Sequence, residues 1–346
     1  MKRIAYWVLG SICFLIACNN EPKTSTVETT KPERKTIGSI ESLDPSLASI
    51  IDTNTKIEIV AEGFDWSEGP LWVESQKMLL FSDIPPNKIY KWTEEKGAEL
   101  YLTPSGYTGA IPRGGEPGSN GLILNADGRL VLCQHGDRRM AMMDADLTAP
   151  APRFITLSDN YDGKRLNSPN DAVYRSNGDL FFTDPPYGLL KNVDDSSKEI
   201  PFQGVYRVSN GKTYLLTDSL TRPNGIAFLN NEKELIVANS DPDKAMWYHY
   251  DITPAGSLLN PRIFFDATEM AKTKKGLPDG LKVLKNGIVF ATGPGGVFIF
   301  SASGKHIGHL NIPEACSNIA LADDDKTLFI TADMYLLRVK LGGGNE

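Results

Sequence analysis

Carboxylate and amide side chains recur at one position of a pattern that the chain repeats six times. In each copy, Ser or Pro precedes the carboxylate or amide residue, and an apolar strand, a turn and a second apolar strand follow. These residues, called here the first-strand ring, are Glu68, Asn120, Asn170, Asn224, Asp279 and Asn318. Oxygen ligands of this kind suit Ca²⁺, Mg²⁺ or Mn²⁺. If the copies face one point, the sequence predicts a divalent-cation site.

The spacing of the copies indicates how the chain would bring them together. Successive ring positions are separated by 52, 50, 54, 55 and 39 residues, which leaves room for four short strands in each unit. Helical periodicity is nearly absent, so repeated four-stranded units predict an all-β fold, a six-bladed β-propeller. Only three strands fit after Asn318. We therefore predict that a strand within residues 56–63 completes the last blade and closes the ring.

In a propeller the first strand of each blade lines the central axis, and the second strand returns to the same end. The return comes 14 or 15 residues after each ring position. It predicts a second-strand ring, formed by Asp83, His135, Asp184, Asn239, Gly293 and Ala332. Loop capping is the simpler interpretation for any one Asn or Asp. Six coincident positions favour a site, because carboxylates packed together repel each other unless a cation joins them.

Metal-assisted hydrolysis requires a cation beside a group such as a carboxylate that can accept a proton. The cation polarises a carbonyl or phosphoryl oxygen and acidifies a water, and the carboxylate accepts the proton. Covalent serine catalysis is not favoured, because the sequence has no Gly-x-Ser-x-Gly motif and none of its four His residues suggests a triad. A net charge of −7 without a Lys/Arg cluster argues against nucleic acid as a partner.

The N-terminus predicts export. A basic start, a short apolar run and the ending Leu-Ile-Ala-Cys resemble a bacterial lipoprotein signal, which would leave Cys18 lipidated. An uncleaved anchor and an ordinary signal peptide are the alternatives. The predicted divisions are a signal peptide at 1–17, a lipidated flexible tether at 18–55 and the propeller at 56–346. The predicted location is the bacterial cell envelope, facing the periplasm or the outer surface, with membrane contact through the lipid only.

Longer motifs carry a resemblance to a known family. "EGFDWSEGPLW", "LVLCQHGDRR", "NSPNDAVYRSNGDLFFTDPPYGL", "RPNGIAF" and "GLPDGLKV" resemble the gluconolactonase family of six-bladed propellers, which includes regucalcin-type lactonases. The resemblance is strongest to the bacterial gluconolactonase branch. It implies one catalytic divalent cation, with Ca²⁺ expected and Mg²⁺, Mn²⁺ or Zn²⁺ as alternatives. The implied metal ligands are Glu68, Asn170, Asn224 and Asp279.

The resemblance also implies roles in the reaction. Asp279 would act as the general base, and Asn120 and His135 would contact substrate, with a hydrogen-bonded structural histidine as the alternative for His135. Asp171 lies next to Asn170, so we predict that it orients the substrate, with loop capping or a second, structural cation as alternatives. Regucalcin-type members carry Arg where this chain has Ser168, which leaves open whether the same sugar lactones are preferred.

The predicted function is therefore hydrolysis of a sugar lactone such as glucono-1,5-lactone. Two alternatives remain at this point. The same ring could hydrolyse a phosphotriester, as the similar fold of diisopropylfluorophosphatase suggests, or it could bind a carbohydrate or protein partner around a structural cation. The sequence leaves the oligomeric state open.

Overall fold

The computed structural model describes residues 1, 2, 4, 5, 7 and 34–342. The chain divides into two compact units, Met1–Glu33 and Arg34–Glu346, and the propeller lies in the second. Cys18 lies outside the described residues, so its lipidation stays a prediction. No helix in the described part of the chain is long and apolar enough to cross a membrane.

The second unit contains six blades, each built on four antiparallel strands, which confirms the predicted fold. Two strands precede the first repeat, β1 (Ser39–Ser42) and β2 (Glu58–Glu62). Blade 1 contains β3 (Ser67–Val73), β4 (Met78–Asp83), β5 (Lys88–Thr93) and β6 (Gly97–Leu102). Blade 2 contains β7 (Ser119–Leu124), β8 (Leu130–Gln134), β9 (Arg139–Met143) and β10 (Phe154–Ser158).

A small hairpin of β11 (Asn160–Tyr161) and β12 (Lys164–Arg165) leads to the next blade. Blade 3 contains β13 (Ala172–Tyr174), β14 (Leu180–Asp184), β15 (Gly204–Ser209) and β16 (Lys212–Thr217). Blade 4 contains β17 (Pro223–Leu229), β18 (Glu234–Asp241), β19 (Lys244–Ile252) and β20 (Leu258–Asp266).

A short helix, α1 (Thr268–Ala271), falls where the sequence suggested a helical turn. Blade 5 contains β21 (Leu281–Val283), β22 (Val289–Gly293), β23 (Gly296–Phe300) and β24 (His306–Asn311). Blade 6 contains β25 (Cys316–Ala322), β26 (Thr327–Ala332) and β27 (Tyr335–Lys340). Short 3₁₀ turns occur at Pro45–Ser49, Glu74–Gln76 and Asn192–Asp194.

Strand β2 closes the ring as predicted. It pairs antiparallel with β27, with Glu58 opposite Arg338, and becomes the fourth strand of blade 6. The Arg338 Nε atom donates a hydrogen bond to Glu58 Oε2 at 2.9 Å. Trp92 of blade 1 and Phe329 of blade 6 lie with ring centroids 5.3 Å apart across the junction. Strand β2 thus supplies the outermost strand of blade 6, which would otherwise have three strands and leave β27 as its edge.

The segment predicted as a tether is partly folded onto the propeller. Strand β1 pairs with β24 and adds a fifth strand to blade 5, with Ile40 opposite Leu310. Leu47 and Ile51 are fully buried in the apolar cluster that blades 5 and 6 share. The described end of the predicted tether is thus anchored to the propeller by a few buried apolar side chains, although most of its residues remain exposed.

Apolar side chains on both faces of each sheet pack between neighbouring blades. Between blades 4 and 5, Trp247 lies with its ring centroid 5.1 Å from that of Phe298. Between blades 3 and 4, Phe181 and Phe228 make an edge-to-face contact at 5.1 Å. Burial on both faces explains why the inner strands read as nearly continuous apolar runs. The packed blades fix the first strands as a rigid ring.

Candidate active site

Five residues of the first-strand ring line one cavity of about 460 Å³. They are Glu68, Asn120, Asn170, Asn224 and Asp279. The sixth member, Asn318, is buried outside that lining, where its Oδ1 atom accepts a hydrogen bond from the backbone N–H of Ile319 at 2.8 Å. The structure thus brings together all four residues that the family resemblance implied as metal ligands, although their role as ligands stays a prediction.

Glycines directly after the ring residues allow the first strands to converge. A Cβ atom on Gly69 would lie 2.0 Å from the backbone oxygen of Asn120, on the next blade. A Cβ atom on Gly225 would lie 2.2 Å from the backbone oxygen of Asp279. Any larger residue would hold the neighbouring strands apart. The sequence pattern contained these glycines, but only the structure shows that they set the distance between ring residues.

Hydroxyl groups on the second strands fix the backbone of the next blade's ring residue. The Ser82 hydroxyl donates to the backbone oxygen of Asn120 at 2.8 Å. The Thr183 hydroxyl donates in the same way to Asn224 at 2.7 Å. These bonds satisfy buried carbonyls that the ladder leaves free, and they tie each ring position to the preceding blade. Sequence reasoning gave these hydroxyls no role.

Residues of the second-strand ring hold the loops that lead into the first strands. Asp83 Oδ1 accepts hydrogen bonds from the backbone N–H groups of Asp65 and Trp66, both at 3.0 Å. The two carboxylate oxygens of Asp184 accept from the backbone N–H groups of Asn167 and Ser168 at 2.8 and 2.7 Å. Asp83 Oδ1 and both carboxylate oxygens of Asp184 therefore already accept backbone hydrogen bonds.

Three buried oxygens of the first-strand ring lack such partners, whereas Glu68 Oε2 accepts a hydrogen bond from the backbone N–H of Gly69 at 2.7 Å. Asn120 Oδ1, Asn224 Oδ1 and Asp279 Oδ1 are buried and accept no hydrogen bond from the described residues. The Asn224 amide nitrogen donates to Ser240 Oγ at 2.9 Å, which leaves Oδ1 as the free atom. Buried polar atoms without partners are costly. Three of them in one cavity are what a cation or a polar ligand would satisfy.

The charges of the cavity also favour a bound cation. Burial, followed by the nearby charges of Asp171 and Glu116, raises the pKa of Glu68 to about 8. Burial, then the charge of Glu68, raises the pKa of Asp279 well above its usual range. Repulsion between buried carboxylates disfavours their ionised forms unless a cation joins them.

The chemistry of the donor set fits a hard divalent ion. In the described chain, no group of three or more His, Cys, Asp or Glu side chains is arranged to hold a metal. The candidate set instead combines two carboxylates, Glu68 and Asp279, with the amides of Asn170 and Asn224. Such an all-oxygen set suits Ca²⁺ or Mg²⁺ better than Zn²⁺.

His135 and Asp171 lie outside the cavity lining. His135 is fully buried, its Nδ1 atom is 3.4 Å from Glu116 Oε2, and neither ring nitrogen has a hydrogen-bond partner among the described residues. Asp171 Oδ1 accepts a hydrogen bond from the backbone N–H of Ala172 at 2.8 Å. Substrate contact by either residue stays a prediction. The lining also includes Glu116, Tyr187 and Lys274, which sequence reasoning did not single out.

The fold and cavity define a six-bladed propeller with an acidic, oxygen-lined site on its first strands. The chain belongs to the SMP-30/Gluconolactonase/LRE-like family, whose sequence pattern matches residues 66–333. A gluconolactonase of Zymomonas mobilis is 39% identical over 313 residues, which cover 88% of this chain and 86% of the relative.

Solved structures agree with this assignment. A gluconolactonase from Xanthomonas campestris is 28% identical, with a TM-score of 0.75 over 90% of this chain and 99% of its own. The calcium-binding protein regucalcin from Agrobacterium tumefaciens shares the fold, with a TM-score of 0.63 at 15% identity over 83% of this chain and 94% of its own.

Proposed function

We propose that this protein is a lactonase that opens a sugar lactone with the help of one divalent cation. The single observation that carries the proposal is the set of unpartnered oxygens in the cavity, two from Asn120 and Asn224 and one from Asp279. Membership of the family, with a gluconolactonase among its relatives, supports the substrate class. Ca²⁺ is the proposed ion, held by Glu68, Asn170, Asn224 and Asp279.

The four ligand residues supply two formal negative charges and two neutral amide oxygens. When bound, a divalent cation would polarise the lactone carbonyl and lower the pKa of a water. The donor set requires both carboxylates to be ionised, so the ion would also counter the repulsion that raises the pKa values of Glu68 and Asp279.

Asp279 is the proposed general base. Its Oδ1 atom is buried in the cavity without a partner among the described residues, so this carboxylate has lone pairs left both to hold the cation and to accept the proton of the attacking water. The oxygen of that water bonds to the carbonyl carbon, the ring C–O bond breaks, and the leaving oxygen takes up a proton. The products are one hydroxy acid and no second fragment, because the ester is cyclic.

The walls around these groups favour a sugar ring. Trp66 and Leu277 provide apolar surface in the lining, and Asn120, Tyr187 and Ser240 provide hydrogen-bonding groups. A few polar groups set among apolar and aromatic side chains are typical of small-molecule sites.

The test is a hydrolysis screen with purified protein against sugar lactones, aryl esters and phosphotriesters, corrected for spontaneous lactone opening. We expect turnover of a sugar lactone, loss of turnover after EDTA treatment and recovery with Ca²⁺. Full activity in metal-free protein would contradict the cation's role. Turnover of phosphotriesters alone would contradict the substrate class.

A further inference from the structure

One lysine of the cavity lining is unpaired among the described residues. Lys274 makes no side-chain hydrogen bond or ion pair with the described residues. Its neighbours in the same loop are paired, since Lys272 Nζ lies 2.6 Å from Glu269 Oε1 and Lys275 Nζ lies 2.8 Å from Glu314 Oε2. Of these three lysines, the one without a partner among the described residues is the one that lines the cavity.

The backbone leaves room for the Lys274 side chain at its position. A Cβ atom on Gly295 would lie 2.6 Å from Lys274 Cδ and 3.4 Å from Nζ. Gly295 also has a φ of +88°, a conformation that favours glycine. The lysine stem thus lies across the turn between β22 and β23. At the start of its loop, the Lys274 backbone N–H donates to Met270 O at 3.0 Å.

The charges of the lining indicate what the ammonium would bind. Three carboxylates line the cavity, those of Glu68, Glu116 and Asp279, and Lys274 is the one cation among the described lining residues. With the carboxylates ionised and a divalent ion bound, these charges would sum to zero. Hydrolysis of a neutral lactone adds one negative charge, the carboxylate of the hydroxy acid. A free ammonium makes strong charge-assisted hydrogen bonds with such a group.

We propose that Lys274 is a ligand-binding residue whose ammonium donates hydrogen bonds to the carboxylate of a sugar acid in the cavity. The proposal rests on the proposed lactonase function, because that reaction generates the carboxylate. Lys274 would hold the product anion and favour sugar ligands that carry a carboxylate over neutral ones.

The experiment measures D-gluconate binding to the Ca²⁺-loaded full chain by calorimetry. Lys274→Met keeps the aliphatic stem and removes the charge, and Lys272→Met is the matched control in the same loop. We expect Lys274→Met to raise the Kd for gluconate about tenfold, the size of one charge-assisted hydrogen bond. Lys272→Met should stay within about twofold of the wild type, and Lys274→Arg should recover most of the affinity.

Sorbitol is a neutral polyol with the same number of carbons as gluconate. It tests whether the effect of Lys274 depends on the carboxylate of the ligand. Its affinity should be the same in the wild type and Lys274→Met. An equal Kd for gluconate in Lys274→Met and Lys272→Met, or no binding of gluconate to the wild type, would overturn the proposal. A protein that binds gluconate through Lys274 yet opens no lactone would leave this inference standing and contradict the proposed function instead.

Discussion

Two sets of buried Asp and Asn residues lie on neighbouring strands of the same sheets, yet their oxygen atoms have different partners. On the second strands, both carboxylate oxygens of Asp184 accept backbone N–H groups. On the first strands, Asn224 Oδ1 and Asp279 Oδ1 are buried without partners in the described chain.

This difference separates positioning from binding. A buried oxygen that is already engaged by backbone fixes a loop, and a ligand gains nothing from it. A buried oxygen without a partner carries a desolvation cost that a cation or substrate can offset. Residue type and burial are alike in the two sets. Only the hydrogen-bond partners of their oxygen atoms distinguish them.

The largest effect should follow replacement of a free carboxylate by an amide. Asp279→Asn should lower kcat/KM for lactone hydrolysis by about 10²–10⁴-fold, because the amide cannot accept the proton from water. Steady-state kinetics on a sugar lactone measures it. Asp83→Asn is the matched control, since Asp83 uses Oδ1 alone for both of its backbone bonds and an amide oxygen can replace it. Similar losses of kcat/KM in the two variants would contradict the distinction between buried oxygens with and without backbone partners.

The next effect concerns the approach of the first strands. Gly225→Ala would place a methyl group 2.2 Å from the backbone oxygen of Asp279. We expect a loss of about 1–3 kcal/mol in the free energy of unfolding, measured with urea, because the strands must move apart. Gly114→Ala is the control, because a Cβ atom there meets nothing within 4 Å. Equal free energies of unfolding for the two variants would contradict the claim that glycine is needed where the first strands approach each other.

The pH dependence of stability tests Asp184, a second-strand residue whose carboxylate oxygens accept backbone hydrogen bonds. Burial raises the pKa of Asp184 from 3.8 to about 7, despite the hydrogen bonds from Asn167 and Ser168. The folded protein therefore holds this proton at a higher pH than the unfolded chain does. Its contribution to stability is complete below the unfolded value of 3.8 and is lost as pH rises through about 7.

Asp184→Asn cannot ionise, so it should lack this dependence. We expect the free energy of unfolding of the wild type, relative to the variant, to fall between pH 5 and pH 7 by up to about 1.4 kcal/mol per pH unit. Urea unfolding of both proteins in EDTA measures the difference. A difference that stays constant over this range would show that Asp184 is ionised throughout.

The smallest effect on stability should come from His135. Neither of its nitrogens has a hydrogen-bond partner in the described chain, so His135→Leu should change the free energy of unfolding by less than about 1 kcal/mol. We expect KM for the lactone to rise less than about tenfold. Gln134→Leu is the contrast, because Gln134 bonds to Ser105 O and Arg139 Nε. Larger destabilisation by His135→Leu would assign His135 a structural role.

The sequence predicts the blades and the first-strand ring well because both follow from one repeated pattern. Each blade contributes its ring residue at the same strand position, so spacing alone places Glu68, Asn170, Asn224 and Asp279 together. Closure by β2 is also predictable, because the last repeat lacks a strand.

Features that depend on distant partners are not predictable in this way. Strand β1 pairs with β24, which lies far away in sequence, and nothing in its own residues distinguishes an edge strand from a tether. The same limit applies to Asp184, whose type is that of a ligand and whose backbone partners appear only after folding. Lys274 likewise lines the cavity with its stem against Gly295, a contact that its sequence position does not reveal.

Calorimetric titration of Ca²⁺ into the metal-free protein tests the central claim most directly. The claim is that oxygens without partners on the first strands hold a divalent cation. It predicts one ion per chain, binding at least about tenfold weaker in Asp279→Asn and unchanged in Asp83→Asn. Equal Ca²⁺ binding by both variants, or no binding by the wild type, would contradict it.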